Sequence, residues 1–458
     1  MVDAQQVTAI ADGDWLAPTV TVVPGAQARV EIPGSKSLTN RYLLLAALAD
    51  SPSVIHAPLH SRDSALMIQA LTALGAGFEE IETGSPFGPD LRVTPLDFSA
   101  PEFRAASIDV GLAGTVMRFV PPVAALLPGR FDFDGDEHAR VRPMQPVIEA
   151  LRGLGVEVED GGRAALPFTV VSQGAVSVSE LTIDASGSSQ FVSALLLAAC
   201  RFEHGLTLRH EGGAVPSMPH IEMTCQTMRE LGIEVAFDGE ATWTVAPGGF
   251  PGFEVTVEPD LSNAGPFLVA AVATGASVTV PRWPSVTTQG GDHWRKILPL
   301  FGATVDLQEG NLTVTGPAGG AATGLAGVDL DLAEAGELAP TVASLIALSP
   351  AESRLRGIAH LRGHETDRLA ALTAEINRLG GTAEETEDGF RVLAPVTRGG
   401  LFRTYADHRM ATAAAVIGLV TPGVVVENVE TTSKTLPGFT GLWQDMLAQW
   451  EASQAGEN

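Results

Sequence analysis

The sequence contains little cysteine and no long hydrophobic run. Its two cysteines, Cys200 and Cys225, are too few for a disulfide framework or a multi-cysteine metal site. Cys200 ends the apolar run "VSALLLAAC", which indicates a buried structural thiol. No apolar run reaches the ~18 residues that a membrane-spanning helix needs, and the acidic start "MVDAQQVTAIADGD" lacks the pattern of a signal peptide. We therefore expect a soluble cytoplasmic protein.

Positive charge is also scarce. The 458 residues include 28 Lys and Arg against 54 Asp and Glu, a formal net charge of −26. This balance argues against nucleic acid or an anionic membrane as a partner, because both favour a basic surface. A small anionic substrate is still allowed if the few cations lie together in one cleft. The length exceeds one ordinary core and predicts two or more domains.

The sequence does contain a repeated pattern. A loop of small and polar residues runs into an apolar helix six times, and these loops start at Gly34, Gly111, Ser186, Leu261, Ala335 and Ala406. Successive starts lie roughly 70–77 residues apart, a period that indicates a repeated supersecondary unit. A glycine between a helical pattern and a strand pattern recurs at Gly75, Gly155, Gly232, Gly302 and Gly380. We predict an α/β fold of six units, each reading strand, helix, strand, helix, strand, strand, in two domains of three.

Charged residues collect in the loops that precede these helices. Of the three lysines, Lys36 lies in "PGSKS" and Lys434 in "TTSKTLPGF", whereas Lys296 in "HWRKIL" is typical of a helix surface. The other charged loop residues are Arg118, Arg142, Glu365, Asp367, Arg368, Asp407, His408 and Arg409. Singly, each is better explained as a surface charge or as a helix-face ion pair such as Asp367 with Arg368. Together they would offer several charge-assisted hydrogen bonds to anions, about 1.5–3 kcal/mol each.

The signatures of several kinds of active site are missing. No spacing of His, Cys, Asp and Glu resembles a zinc or iron site. "PGSKS" lacks the Gly-Lys-Ser/Thr ending of a nucleotide-binding Walker loop, and no Gly-x-Ser-x-Gly elbow with triad partners is evident. Acid–base chemistry by carboxylates in a cationic cleft remains.

Seven motifs in order carry a resemblance to a known family. "PGSKSLTNR", "GLAGTVMR", "RPM", "SGSSQF", "HETDRL", "YADHRMA" and "SKTLPGF" together span nearly the whole chain. They resemble the 3-phosphoshikimate 1-carboxyvinyltransferase (EPSP synthase) family, with "AGELAPTVA" and "LRGHETDRL" similar to its actinobacterial branch. The resemblance implies two domains of three βαβαββ units (an inverse α/β barrel), one of residues 34–258 and one of residues 1–33 with 259–458. It places the active site in a cleft between them.

The resemblance also implies a reaction without a metal or organic cofactor. The enolpyruvyl group of phosphoenolpyruvate passes to the 5-hydroxyl of shikimate 3-phosphate, through a tetrahedral phospho-ketal, and phosphate is released. The products lead to chorismate and the aromatic amino acids. Glyphosate is expected to inhibit at the phosphoenolpyruvate site, and the protein is expected to be a monomer without nucleic-acid or membrane partners.

Individual residues match the family's substrate-binding positions. Those implied for shikimate 3-phosphate are Lys36, Ser37, Arg41, Ser188, Ser189, Gln190, Ser217, Glu337, His360 and His364. Those implied for phosphoenolpyruvate are Lys36, Gly114, Arg142, Gln190, Arg368, Arg409 and Lys434. Three carboxylates are candidates for proton transfer. Glu337 would act at the attacking hydroxyl and Glu365 at the methylene carbon, whereas Asp63 would accept a proton or simply cap the helix "SALMIQALTAL". The alternative for Glu365 is an i,i+3 ion pair with Arg368, one helical turn away.

The chain departs from the common family pattern at five of these motif positions. Glu337 stands where many members have Asp, His364 where many have Lys, and His360 where many have Asn. The histidines leave the pH optimum open, because histidine titrates near neutrality. Leu112 replaces a common Asn and Phe119 a common Pro, which leaves the response to inhibitors open.

Two alternatives remain at this stage. The first is the related enolpyruvyl transferase that acts on UDP-N-acetylglucosamine and uses a reactive cysteine in a mobile loop. Neither Cys200 nor Cys225 lies in such a loop. The second is an anion-binding protein without catalysis, which would not need the carboxylates Glu337 and Glu365.

Overall fold

The structure is a computed structural model of the chain, and it describes residues 11–21, 23–99 and 102–455. The helices are α1 (Lys36–Leu48), α2 (Arg62–Leu74), α3 (Gly114–Ala124), α4 (Gln145–Gly153), α5 (Ser189–Ala199), α6 (Met218–Glu230), α7 (Leu261–Thr274), α8 (Trp294–Ile297), α9 (Ala339–Ile346), α10 (Arg368–Arg378), α11 (His408–Val420) and α12 (Phe439–Ala455).

The strands are short and fall between these helices. They are β1 (Trp15–Leu16), β2 (Gln27–Arg29), β3 (Ser53–His56), β4 (Gly77–Ile81), β5 (Asp90–Thr94), β6 (Arg104–Asp109), β7 (Pro128–Asp134), β8 (Glu157–Glu159), β9 (Phe168–Gln173), β10 (Glu180–Ile183), β11 (Leu206–His210), β12 (Val235–Phe237), β13 (Thr242–Val245), β14 (Glu254–Thr256), β15 (Ser277–Val280), β16 (Thr304–Gln308), β17 (Asn311–Thr315), β18 (Asp329–Asp331), β19 (Ser353–Arg356), β20 (Thr382–Glu385), β21 (Phe390–Ala394), β22 (Gly400–Phe402) and β23 (Val424–Val426).

Five four-stranded sheets share one topology. In the segment that contains α3 and α4, the order is β6-β7-β9-β8, with β6 parallel to β7 and the last two strands antiparallel. The other four are β10-β11-β13-β12, β14-β3-β5-β4, β2-β15-β17-β16 and β18-β19-β21-β20. In three of the five sheets a helix joins the parallel pair, as parallel strands require: α3 joins β6 to β7, α5 joins β10 to β11, and α9 joins β18 to β19. The other two sheets have the same strand order, but their first strand comes from a distant part of the chain. The predicted α/β fold of repeated βαβαββ units is confirmed.

Two strands lie in sheets that the chain order alone does not suggest. β2 precedes α1 in the sequence but pairs in parallel with β15. β14 precedes α7 but pairs in parallel with β3. The chain accordingly divides into unit 1, which ends at Ile32 and resumes at Asp260, and unit 2, which runs from Pro33 to Pro259.

The sixth repeat differs from the prediction. β22, α11 and β23 form the expected strand–helix–strand segment, but the described residues that follow form a 3₁₀ helix, Val429–Lys434, and α12 instead of two strands. The sheet has three strands in the order β1-β23-β22, and β1 from the N-terminal segment pairs antiparallel with β23. The prediction of six identical units was therefore wrong in this unit, because the N-terminal segment supplies the third strand.

The central helices are buried on all sides. Every residue of α3 and every residue of α7 is buried, and the buried cores of the two units form separate clusters. A helix that is apolar all round is stable only inside a protein, which explains the Ala-, Val- and Leu-rich repeats. The predicted helix-ending glycines all have a positive φ, as an αL cap requires: Gly75, Gly155, Gly232, Gly302 and Gly380. Among the described residues, no helix combines the length and apolar character needed to cross a membrane.

Candidate active site

Three helix N-termini lie together in unit 2. The Asn40 amide in α1 donates to Thr115 Oγ1 in the first turn of α3, at 2.6 Å. Arg118 in α3 donates to Gln190 Oε1 at 2.7 Å and to Ser188 Oγ at 3.3 Å, both at the start of α5. Because the first N–H groups of a helix are free to donate and its dipole is positive there, this grouping favours anions.

Lys36 and Asp63 form an ion pair at the start of α1. Ser35 caps the helix, and Lys36 Nζ lies 3.6 Å from Asp63 Oδ2. Asp63 is buried, with a side chain only 2% exposed. The alternative that Asp63 caps α2 is wrong, because Ser61 is the cap and forms a reciprocal pair of hydrogen bonds with Ser64. Asp63 lies in the first turn of α2, where its carboxylate faces the ammonium group.

Arg118 is a buried cation without a carboxylate partner in the described part of the chain. Its guanidinium stacks on Phe191, 5.0 Å from the ring centre, and its Nε has no hydrogen-bond partner among the described residues. Burial and then repulsion from Arg142 lower the pKa of Arg118 well below its ordinary value. Arg142 donates to the Leu112 carbonyl at 2.8 Å. A buried guanidinium next to a second, half-buried one is stabilised by an anion between or beside them.

Gly114 lies against these groups. A β-carbon at this position would be 2.8 Å from Arg142 Nη2 and 3.0 Å from Gln190 Oε1. Both distances are shorter than an ordinary van der Waals contact, so a methyl group here would displace one of the two side chains. The absence of a side chain at Gly114 therefore shapes the surface that Arg142 and Gln190 form.

The predicted serines lie at helix starts in unit 2. Ser188 caps α5, and its hydroxyl oxygen accepts from the backbone N–H of Gln190 at 3.2 Å; Ser189 is buried next to it. Ser217 precedes α6 with a φ of 53°, and its side chain makes no capping bond. A non-glycine residue held in this left-handed region costs about 1–3 kcal/mol and is found most often at functional sites.

Arg41 is used within unit 2. Its Nε donates to Thr224 Oγ1 at 2.8 Å, and its Nη atoms donate to the carbonyls of Ser37 and His220, both at 2.9 Å. The guanidinium also lies 5.4 Å from the centre of the Phe119 ring. These contacts tie α1 to α6. Binding of a substrate by Arg41 and by the half-buried Ser37 stays a prediction.

Glu365 forms a buried charged cluster in unit 1. Its Oε1 lies 2.7 Å from Lys434 Nζ, its Oε2 lies 3.0 Å from His408 Nδ1, and the Glu365 and Lys434 side chains are 9% exposed. Burial opposes ionisation of Glu365, but its interactions with His408, Lys434 and Arg368 outweigh that effect and hold the pKa of Glu365 well below its usual range. Burial lowers the pKa of His408 despite the neighbouring Glu365. Glu365 is thus an ionised carboxylate that lies between the Lys434 ammonium group and the His408 ring.

Arg368 pairs with Asp407. Two hydrogen bonds of 2.7 and 3.1 Å join the guanidinium to the carboxylate, and both side chains are buried. The alternative that Arg368 pairs with Glu365 one turn away is therefore wrong, and so is the pairing of Asp367 with Arg368. Asp367 caps α10 and pairs with Arg362 instead. Arg409 is half-buried next to Asp407, and its guanidinium has no hydrogen-bond or ion-pair partner within the described ranges.

Glu337 lies in the short 3₁₀ helix before α9. Ser262 Oγ, in the first turn of α7, donates to its Oε1 at 2.7 Å. His360 and His364 lie near one another, with ring centres 5.7 Å apart, and His364 Nδ1 is 3.4 Å from Arg368 Nη1. The structure thus brings together Glu365, Arg368, Lys434 and His364 in unit 1, with Glu337 held by α7.

One group of possible metal ligands is found among the described residues. Single ligand atoms of Glu365, Asp407 and His408 lie within 4.8 Å of one another. Lys434 and Arg368 already pair with the two carboxylates, so these residues do not fit a cation.

The structure brings three residues to the site that the sequence did not predict there: Asp407, His408 and Ser262. Asp407 and His408 were visible as charged loop residues, but their pairing with Arg368 and Glu365 depends on the fold. Ser262 belongs to the one repeated helix start to which no site residue had been assigned.

The chain is similar to known proteins along most of its length. It matches the family model described as EPSP synthase (3-phosphoshikimate 1-carboxyvinyltransferase) over residues 23–443. A 3-phosphoshikimate 1-carboxyvinyltransferase of Kocuria rhizophila is 60% identical over 437 residues, which cover 95% of this chain and 97% of that protein.

Two EPSP synthase structures from Acinetobacter baumannii share the fold. Their TM-scores are 0.74 and 0.73 at 23% and 22% identity. The matches cover 93% and 94% of this chain and 97% and 98% of theirs. The fold and the sequence matches agree with the seven motifs. The chain belongs to the EPSP synthase family.

Proposed function

We propose that the two units divide between them the groups needed for the EPSP synthase reaction. In this reaction the enolpyruvyl group of phosphoenolpyruvate is transferred to the 5-hydroxyl of shikimate 3-phosphate, giving 5-enolpyruvylshikimate 3-phosphate and phosphate. The family match and the 60% identical relative support this activity. Unit 2 would supply the hydroxyl, amide and cationic groups, and unit 1 would supply the proton-transferring carboxylates.

In unit 2, the proposed ligands of the shikimate phosphate are hydroxyl groups at helix starts. Ser188, Ser189 and Ser217 would donate to the phosphate, and Lys36 would lie between the two substrates. Arg118 supports this proposal, because it can only donate hydrogen bonds. It therefore holds Gln190 Oε1 towards itself and leaves the amide N–H groups for an acceptor on a substrate.

In unit 1, Glu337 and Glu365 are proposed to carry protons. In the addition step Glu337 would accept the 5-hydroxyl proton as the oxygen bonds to the enol carbon, and Glu365 would protonate the methylene carbon. In the elimination step Glu365 would take a proton back from the new methyl group as the bond to phosphate breaks. The hydroxyl proton leaves with phosphate, so protons balance over the turnover.

The observation that carries this proposal is the pairing of Glu365 with Lys434. Lys434 is a proposed ligand of phosphoenolpyruvate, together with Arg142, Arg368 and Arg409. An anionic substrate that draws the Lys434 charge away from Glu365 would raise the proton affinity of that carboxylate. Substrate binding would then prepare Glu365 to act as the acid in the addition step.

The structure disfavours the rival transferase that depends on a reactive cysteine. Cys200 and Cys225 are both free and buried, and burial raises the pKa of each thiol to about 11. A reactive cysteine needs a thiolate, which is the opposite condition. Free cysteines also agree with the proposed cytoplasmic location. The monomeric state and inhibition by glyphosate are further parts of the proposal, and the steric role of Gly114 supports the second.

A substitution at Ser217 tests the proposed phosphate site. Ser217→Gly relieves the left-handed backbone and removes the whole hydroxymethyl side chain. We expect equilibrium binding of shikimate 3-phosphate to weaken about tenfold, the loss of one hydrogen bond to a charged group, with no fall in thermal stability. Ala164→Gly is the matched control, because Ala164 has the same positive φ of 53° in the same unit. Unchanged affinity in Ser217→Gly would remove Ser217 from the site.

A further inference from the structure

The six repeated helix starts are used unequally by the proposed site. Five of them carry proposed site residues: Lys36 at α1, Gly114 at α3, Ser188 at α5, Glu337 before α9 and Arg409 at α11. The sixth, "LSNAG" at the start of α7, carries none. Its first turn is nevertheless polar and buried, since Ser262 and Asn263 are each 5% exposed.

Ser262 contacts the proposed base directly. Its hydroxyl lies 2.7 Å from Glu337 Oε1. An ionised carboxylate can only accept hydrogen bonds, so the Ser262 proton points at Glu337. A bond of this kind is charge-assisted and is stronger in the ionised state of the carboxylate. The start of α7 adds its positive dipole end on the same side.

The turn that carries Ser262 is held from three sides. The backbone N–H of Asn263 donates to the Asp260 cap at 2.9 Å. The Asn263 side chain donates to the Thr435 carbonyl, also at 2.9 Å, and Thr435 follows Lys434 in the chain. The N–H of Leu261 donates to Gln289 Oε1 at 3.2 Å. Ser262 is therefore presented by an anchored backbone, as a group that fixes another side chain must be.

Gly290 limits the other side of the Glu337 carboxylate. A β-carbon at Gly290 would lie 3.2 Å from Glu337 Oε1, so the missing side chain leaves room for that oxygen. Glutamate has one more rotatable bond than aspartate, and its carboxylate needs an external contact to keep one position. The Ser262 hydroxyl provides this contact through its hydrogen bond, and the missing side chain at Gly290 leaves space for the carboxylate oxygen.

We propose that Ser262 is a positioning residue for Glu337, holding its carboxylate ionised and in place for the attacking hydroxyl. This inference rests on the proposed function, because it assumes that Glu337 is the base. Ser262 acts through Glu337 and does not itself contact the reacting atoms.

The test compares Ser262→Ala with Ser344→Ala, a buried serine of the same unit whose hydroxyl donates to the Thr341 carbonyl of its own helix. We expect Ser262→Ala to lower kcat about tenfold to a hundredfold, the cost of displacing a reacting group, with little change in KM. The acidic limb of its pH profile should move to higher pH, because the ionised carboxylate loses a hydrogen bond. Ser344→Ala should change neither kcat nor the profile.

A double-mutant cycle with Glu337→Asp separates positioning from general damage. The shorter aspartate cannot reach the same point, so Ser262→Ala should cost less than about threefold in the Glu337→Asp background. Equal losses in both backgrounds, or an unchanged kcat in Ser262→Ala, would overturn the inference. If Ser262→Ala does not fold, Gly290→Ala takes its place and should show the same dependence on residue 337. A wild-type chain that releases no phosphate with both substrates would instead remove the proposed function itself.

Discussion

Glu365 Oε1 lies 2.7 Å from Lys434 Nζ, and both side chains are almost completely buried. The other carboxylate oxygen, Glu365 Oε2, lies 3.0 Å from His408 Nδ1. Glu365 therefore pairs with Lys434 and His408. Its near neighbour in the sequence, Arg368, pairs with Asp407 instead. The pairing with Lys434 also gives the Glu365 carboxylate a proton affinity that depends on where the Lys434 charge is directed.

The first prediction concerns Glu365→Gln, which keeps the shape of the side chain and removes its ability to carry a proton. We expect kcat to fall 10²–10⁴-fold, about 3–5 kcal/mol of barrier, because a positioned acid–base group contributes that much. Affinity for shikimate 3-phosphate should change little, since the proposed ligands of its phosphate, Ser188, Ser189 and Ser217, lie in unit 2. Steady-state kinetics and equilibrium binding measure the two effects.

Glu222→Gln is the control for this substitution. Glu222 is half exposed and pairs with Arg229 on the surface, so its replacement should leave both quantities unchanged. Near-wild-type turnover in Glu365→Gln would end the assignment of Glu365 to proton transfer.

A second prediction compares two of the three lysines. Lys36→Met removes a cation that is proposed to contact both substrates and that faces Asp63 at 3.6 Å. We expect kcat/KM for each substrate to fall about tenfold to 150-fold, the equivalent of roughly 1.5–3 kcal/mol for one charge-assisted hydrogen bond. Lys296→Met, at an exposed position in α8, should have no effect. Equal kinetics in the two variants would show that Lys36 is only a surface charge.

A third prediction concerns inhibition. Glyphosate should compete with phosphoenolpyruvate in the wild-type chain, because Gly114 leaves the surface beside Arg142 and Gln190 open. Gly114→Ala adds a methyl group 2.8 Å from Arg142 Nη2, so it should raise both the inhibition constant and the KM for phosphoenolpyruvate. The KM for shikimate 3-phosphate should not change. Non-competitive inhibition, or an unaltered inhibition constant in Gly114→Ala, would contradict this placement.

A fourth prediction concerns the pH dependence of stability. Hydrogen bonds to Asp90 and then to Glu254 raise the pKa of His56 at the end of β3. The protonated form is therefore favoured in the folded state, and its contribution is complete below the ordinary value of about 6.5. That contribution is lost as the pH rises through the folded pKa.

Thermal midpoints of the wild type and of His56→Gln measure this contribution. The wild type should have the higher thermal midpoint at about pH 6, and the difference between the two midpoints should become smaller towards about pH 9. His204→Gln, at an exposed position, should show no such difference. A difference that grows with rising pH would contradict the pairing of His56 with the two carboxylates.

Features that depend on local chemistry could be predicted from the sequence. The glycines that end helices, such as Gly75 and Gly155, follow from backbone geometry alone. The polar starts of the buried helices were visible because an apolar run and a charged loop are adjacent in the chain. These signals gave the repeat unit and most of the proposed site.

Pairings between distant residues could not be predicted in this way. Arg368 and Asp407 are 39 positions apart, and only the packing of α10 near the start of α11 brings them together. Sequence spacing offered the i,i+3 neighbour Glu365 instead. Likewise, Ser61 caps α2, so the Asp63 carboxylate is available to pair with Lys36. This ion pair depends on the position of α1, which the sequence does not reveal.

The central claim is that this chain uses both anionic substrates in one reaction. Phosphate release should be measured with phosphoenolpyruvate and shikimate 3-phosphate together, with each alone, and with UDP-N-acetylglucosamine as the alternative acceptor. We predict stoichiometric release of phosphate, with formation of 5-enolpyruvylshikimate 3-phosphate, only when phosphoenolpyruvate and shikimate 3-phosphate are both present. Release with UDP-N-acetylglucosamine, or no release with the shikimate pair, would contradict it.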